Sequence, residues 1–212
     1  MGSPNPDLIG ILSDTERLKL IGVGEERATT LFCGESYRGY PCFEYTLPEG
    51  YDADCVSEIC ALQIIACKDA IAVSTEGHGV LTVYPPGAKA STAKFVLKGG
   101  FGLVRRSGFK ILSRLTSYEN YCEDMMKRHI DKNTWYIANL AVDPPYQNKG
   151  LAKRMLNPFL NYFDETGSSA YLETHSGSNV PFYEHFGFEL VETGKLPGTD
   201  VTHYAMLRMP KS

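Results

Sequence analysis

The stretch Ala141–Met155, "AVDPPYQNKGLAKRM", decides the fold. It continues the run "WYIANLAV" (135–142), which is apolar and too short for a helix before Pro144, so the run reads as a central strand. Two prolines stop the strand, and a polar run with one glycine follows. From about Gly150 to Asp164 the apolar residues Leu151, Met155, Leu156, Phe159, Leu160 and Phe163 recur at helical spacing. Pro158, inside that helix, is expected to remove one backbone bond and kink it. A helix N-terminus carries unpaired N–H groups and a partial positive charge. A loop that brings several amides to one point is an anion site. Gly150 and Ala152 leave the backbone accessible, and Lys149 and Lys153 add charge. The loop is either a pyrophosphate cradle or a plain strand-to-helix turn that uses glycine for its geometry. It matches neither GxxxxGK[ST] nor GxGxxG.

Upstream, residues 14–33 carry helical spacing interrupted at Gly22 and Gly24. "GYPCFEYTLPEG" (39–50) reads as an aromatic loop, and 52–70 as a helix begun near Asp52. "AIAVST" (70–75) and "GVLTVY" (79–84) form a hairpin around "EGHG". Residues of about 100–130 form a helical insert with a basic face at Arg105, Arg106 and Lys110. Downstream come a strand at 170–175 and a short helix with Asn179 as its cap, Pro181 in its first turn and Gly187 as its stop. Two strands, "FELVET" and "THYAMLRM", close the chain. This order predicts one α/β domain over 1–212 with a mixed sheet covered on both faces and a disordered tail at about 1–13.

The chain has 212 residues, 43% of them hydrophobic, and a net charge of -4, so it can build a sizeable core but offers no basic surface for nucleic acid. No apolar run reaches the roughly 20 residues of a membrane helix. The N-terminus lacks the pattern of a signal peptide. The six cysteines show no CxxC and no His-rich partner motif, so the expectation is free thiols in a reducing cytoplasm and no metal.

Gln147-Asn148-Lys149-Gly150-Leu151-Ala152, after a strand ending in "AV", resembles the acyl-CoA signature Q-x-x-G-x-G/A of the GNAT acetyltransferase superfamily. "WYIANLAVDPPYQNKGLAKRMLNPFL", "AYLETHSGSNVPFYEHFGF" and "KLPGTDVTHYAMLRMP" resemble the branch containing puromycin N-acetyltransferase. The resemblance covers about 30–210 and implies a mostly antiparallel central sheet flanked by helices, with a splayed central strand pair. It implies acetyl-CoA as donor and an amine as acceptor. The pyrophosphate would rest on amides from Asn148 to Lys153, and the pantetheine arm along Leu140 and Val142. The N–H of Leu140 would polarise the thioester carbonyl.

Tyr183 stands where this family places a proton donor for the thiolate; on its own it reads equally as a core aromatic. Asn179 resembles the family's residue that bonds the CoA arm. Glu173 and His175 alternate along one strand and share a face, so either could take the amine's proton, and either could be a structural polar group. His175 departs from the serine more usual there. His78, His129, His185 and His203 show no ligand spacing. The Arg105–Lys110 run is a solvated face or a seat for the 3′-phosphate. Tyr40, Phe43, Tyr45 and Tyr84 are candidates for the acceptor pocket or for core packing. The expectation is a cytoplasmic N-acetyltransferase acting on a small-molecule primary amine, as monomer or homodimer, with no nucleic-acid or membrane partner. The alternatives are protein or peptide acetylation and a non-catalytic acyl-CoA-binding module.

Overall fold

A computed structural model describes residues 6–108 and 110–211. In chain order the elements are α1 (Pro6–Asp14), β1 (Leu18–Leu20), α2 (Glu26–Thr29), α3 (Cys33–Ser36), α4 (Pro41–Thr46), α5 (Ala53–Ala66), β2 (Ile71–Thr75) and β3 (Gly79–Tyr84). Then come α6 (Thr92–Phe95), α7 (Phe101–Ser107), α8 (Lys110–Met126), β4 (Thr134–Val142), α9 (Leu151–Glu165), β5 (Ser169–Thr174), α10 (Val180–His185), β6 (Glu189–Lys195) and β7 (Thr202–Arg208). The strands form one sheet of seven in the order β1-β2-β3-β4-β5-β7-β6. Every neighbouring pair is antiparallel except β4 and β5. The expected mixed, mostly antiparallel sheet flanked by helices is therefore observed.

Two layers cover the sheet. On one face Ile71, Val73, Leu81, Val83, Trp135, Ile137 and Leu172 pack with Leu8 and Leu12 of α1, the apolar stripe of α9, and Tyr183 of α10. On the other, Ala72, Val80 and Ala141 pack with α5 and the α7–α8 insert, and Tyr171 and Ala205 pack on Met125 of α8. Burial on both faces explains why β2 and β3 read as unbroken apolar runs rather than as alternation.

β4 is where the site is made. Thr82 pairs with Asn139 but Val83 with Ile137, so Ala138 is an extra residue, a bulge. Because strand side chains alternate with a period of two, the bulge reverses the faces beyond it. Trp135 and Ile137 face α9, whereas Ala141 faces the α5 side. β4 pairs with β5 only from Thr134↔Ser169 to Ile137↔Leu172. Past the bulge the two strands part, which is the expected splay.

Several local expectations are corrected. Leu18–Leu20, expected within a helix, is an edge strand paired to β2. The stretch 39–50 contains a helix, α4, with Pro41 in its first turn. Residues 1–5 of the expected tail lie outside the described residues, and from Pro6 the chain is helical, with Leu8 and Leu12 fully buried. Pro158 does lie inside α9, as expected. Asn179 does not cap α10 with its side chain.

Candidate active site

The loop after β4 is shaped by two left-handed residues, Asn148 (φ 60°) and Gly150 (φ 82°). Glycine meets that geometry without strain, and asparagine is among the few other residues that tolerate it. A side chain at Gly150 would meet nothing within 4 Å, so glycine is needed there for its dihedral and leaves open space beside the backbone. The first α9 bond runs from Arg154 N–H to the Gly150 carbonyl. The amides of Asn148 through Lys153 make no hydrogen bond among the described residues. The loop is braced from behind. His78 stacks on Tyr146 (3.5 Å between ring centroids) and bonds Asp143 at 2.9 Å. Lys149 lies 4.8 Å over the same Tyr146 ring. Gln147 turns inward, its Nε2 donating to the Val142 carbonyl. A groove of about 200 Å³ beside the start of α9 is lined in part by Lys153, Asn157, Asn161, His185 and Lys211.

In an antiparallel pair, alternate residues turn their backbone toward the partner. Asp143 N–H bonds the His78 carbonyl, so Asp143, Ala141 and Asn139 face β3. Leu140 and Val142 therefore turn their backbone into the gap beside β5. Their carbonyls are already engaged: Tyr37 donates to Leu140 O at 2.9 Å, and Ser36 to Val142 O at 3.0 Å. Their N–H groups face the gap.

Aromatic side chains converge at that gap. The Tyr40 hydroxyl bonds Thr174 Oγ1 (2.9 Å) and accepts from the His175 N–H (2.8 Å). Asn179 Nδ2 donates to the same Thr174 Oγ1 at 3.0 Å, which holds the turn between β5 and α10. Tyr183 is buried in the apolar layer, and its hydroxyl makes no hydrogen bond among the described residues. Burial, with Tyr40 nearby, pushes its pKa well up, so it is a phenol at neutral pH.

Glu173 points to the opposite face, with Tyr136 donating to its Oε2 at 3.1 Å. No cation pairs with it among the described residues, and burial raises its pKa to about 7. His175 is committed elsewhere: its Nε2 lies 3.0 Å from Nδ1 of His203. Burial, then the neighbouring His203, lowers its pKa to about 3, and burial lowers that of His203 to about 4. Of the two carriers expected for a proton, His175 is tied to a second imidazole and Glu173 is not.

The structure thus brings Leu140, Val142, Gln147–Lys153, Asn179 and Tyr183 around one gap, with Glu173 and His175 beyond it. Of the aromatic candidates, Tyr40 reaches the gap, Phe43 packs against Tyr37 and Tyr40, and Tyr84 bonds the Gln63 carbonyl and packs on Tyr136. Arg105, Arg106 and Lys110 are exposed. Sequence reasoning missed Tyr37, Ser36 and Tyr136. The first two bond atoms 103 and 106 residues away, so no local pattern marks them.

A seven-stranded sheet with one parallel, splayed pair and an amide-rich loop at its mouth is the fold of solved GNAT acetyltransferases. Residues 105–188 match the family model described as Acetyltransferase (GNAT) family. An acetyltransferase structure from Corynebacterium glutamicum, described as histone acetyltransferase HPA2 and related acetyltransferase, aligns with a TM-score of 0.63 at 16% identity, covering 92% of this chain and 96% of that one. An uncharacterized N-acetyltransferase of Schizosaccharomyces pombe is 37% identical over 65 residues, 31% of this chain and 26% of that protein. N-alpha-acetyltransferase 50 of Danio rerio is 36% identical over 64 residues, 28% of this chain and 38% of that protein. The chain thus spans well under half the length of these two relatives.

Proposed function

We propose that this chain transfers the acetyl group of acetyl-CoA to a primary amine of a small molecule, in the manner of the puromycin N-acetyltransferase branch. The observation that carries the reading is two sets of unpaired amides on one strand-loop-helix unit, Asn148 to Lys153 at the helix mouth and the gap-facing N–H groups of Val142 and Leu140. Six unbonded amides at a helix mouth fit a pyrophosphate. The open space beside Gly150 accommodates its approach, and the groove at Lys153, Asn157, His185 and Lys211 suits the nucleotide end. Acetyl-CoA, when bound, supplies an activated acyl group on a thiol leaving group.

The chain's own residues do the rest. Leu140 N–H, fixed in the sheet, donates to the oxygen that gains negative charge, which is stabilisation by a preorganised dipole. Tyr183 donates its phenolic proton to the departing sulfur. Glu173 takes the proton of the attacking amine, and Asn179 and Thr174 hold the rim. Tyr37, Tyr40, Tyr118, Tyr136 and Glu173 keep part of their surface open while α4 and α8 wrap them, which suits a small acceptor. The segment shared with N-alpha-acetyltransferase 50 favours a second reading, a peptide N-terminus as acceptor.

The test is thiol release from acetyl-CoA against a panel of free amines and peptides, with calorimetry of CoA binding alongside. Turnover with free amines and little with peptides is expected. Tight CoA binding with no turnover on either would make the chain a binding module. CoA affinity unchanged in Gly150→Trp would remove the amide cradle from the account.

A further inference from the structure

We infer that Cys122, His175 and His203 form a binding site for one soft divalent cation, with zinc the best match. The three come from separate parts of the fold: Cys122 from α8, His175 from the residue just after β5, and His203 from β7. All are buried, and their ligand atoms lie within 4.8 Å of one another. His175 Nε2 is 3.0 Å from His203 Nδ1, and Cys122 Sγ is 3.9 Å from the same nitrogen. The widest triangle these distances allow has a point about 2.4 Å from all three corners, against Zn–S near 2.3 Å and Zn–N near 2.0–2.1 Å. Shifts of a few tenths of an ångström complete the contact.

The donor set also fits chemically. One thiolate and two imidazoles select zinc over magnesium or calcium, which take oxygen ligands. Zinc carries no redox demand. On binding, the Cys122 S–H bond breaks, an S–Zn bond forms, both imidazoles give lone pairs, and the thiol proton leaves to solvent. Glu173, two residues before His175 and without a cationic partner among the described residues, adds a carboxylate to the same neighbourhood as the incoming positive charge. The expectation of no metal rested on sequence spacing. His203 is 81 residues from Cys122 and 28 from His175, so the site exists only once the helical insert docks on the sheet. Its occupation would clasp α8 to β5 and β7.

The experiment uses the full chain, purified without metal-affinity resin. Zinc is counted per chain, and the metal-stripped protein is titrated with cobalt(II) as a spectroscopic probe. About one equivalent is expected, with a thiolate-to-cobalt charge-transfer band and tetrahedral visible absorption. Zinc at a hundredfold excess over its Kd should raise Tm by about 5–10 °C. Cys122→Ser should lose the charge-transfer band. His203→Gln should weaken binding by more than the roughly 10–100-fold that loss of an outer partner costs. No cobalt band in the wild-type protein overturns the site, as does a band that persists in Cys122→Ser. If neither variant folds, wild-type stoichiometry together with the zinc-dependent Tm decides.

Discussion

Tyr183 packs its ring in the apolar layer and leaves its hydroxyl without a protein partner among the described residues. A phenol placed to give a proton predicts that Tyr183→Phe loses about 10²–10⁴-fold in turnover while CoA affinity holds. Steady-state kinetics with calorimetry would check it, and unchanged turnover would remove the donor role. Arg208 illustrates the opposite case, a buried charge with each guanidinium nitrogen hydrogen-bonded. It is 2% exposed, forks onto Asp164 at 2.7 and 2.8 Å, and bonds the Phe186 carbonyl. Asp164→Asn leaves that guanidinium poorly paired and should cost about 3–5 kcal/mol in urea unfolding. The bond from Arg208 holds the Asp164 pKa below its ordinary 3.8. A depressed carboxylate stabilises above its unfolded pKa, and that contribution is lost as pH falls through the folded value. Acid unfolding of the wild type should therefore contain a component below pH 3.8 that is missing in Asp164→Asn. Tyr183 and the loop residues were legible in sequence because their signals are contiguous. The partners of Glu173 and His175 were not, because they come from α8, β4 and β7.

At the scale of elements, the hairpin, β4, α9 and β5 were legible from period and punctuation, since each carries a strong local signal. The N-terminal third was not. Leu18–Leu20 is only three residues long and is held by pairing with β2 rather than by its own pattern. α4 is a single short helix whose stability comes from packing Cys42 and Phe43. The bulge at Ala138 has no sequence mark, although the splay depends on it. Deleting Ala138 would leave Ile137 and Asn139 on their present, opposite faces and make β4 a regular strand, free to pair with β5 beyond Ile137. Folded protein with cooperative unfolding by circular dichroism but weakened CoA binding by calorimetry is the expected outcome. A stable, CoA-binding deletion would show that the strands part for another reason.

At the scale of the molecule, the sheet separates two apolar layers, and α1 closes one of them with Leu8 and Leu12, each fully buried. Leu12→Ala should cost about 2–5 kcal/mol, read as a lower midpoint at constant slope in a denaturant titration. A change under 0.5 kcal/mol would mean that α1 is a dispensable appendage.

The two sides of the sheet also divide the labour. Tyr183 lies under one layer and Glu173 under the other, so on the proposed mechanism the proton given up and the proton collected belong to opposite faces of one sheet.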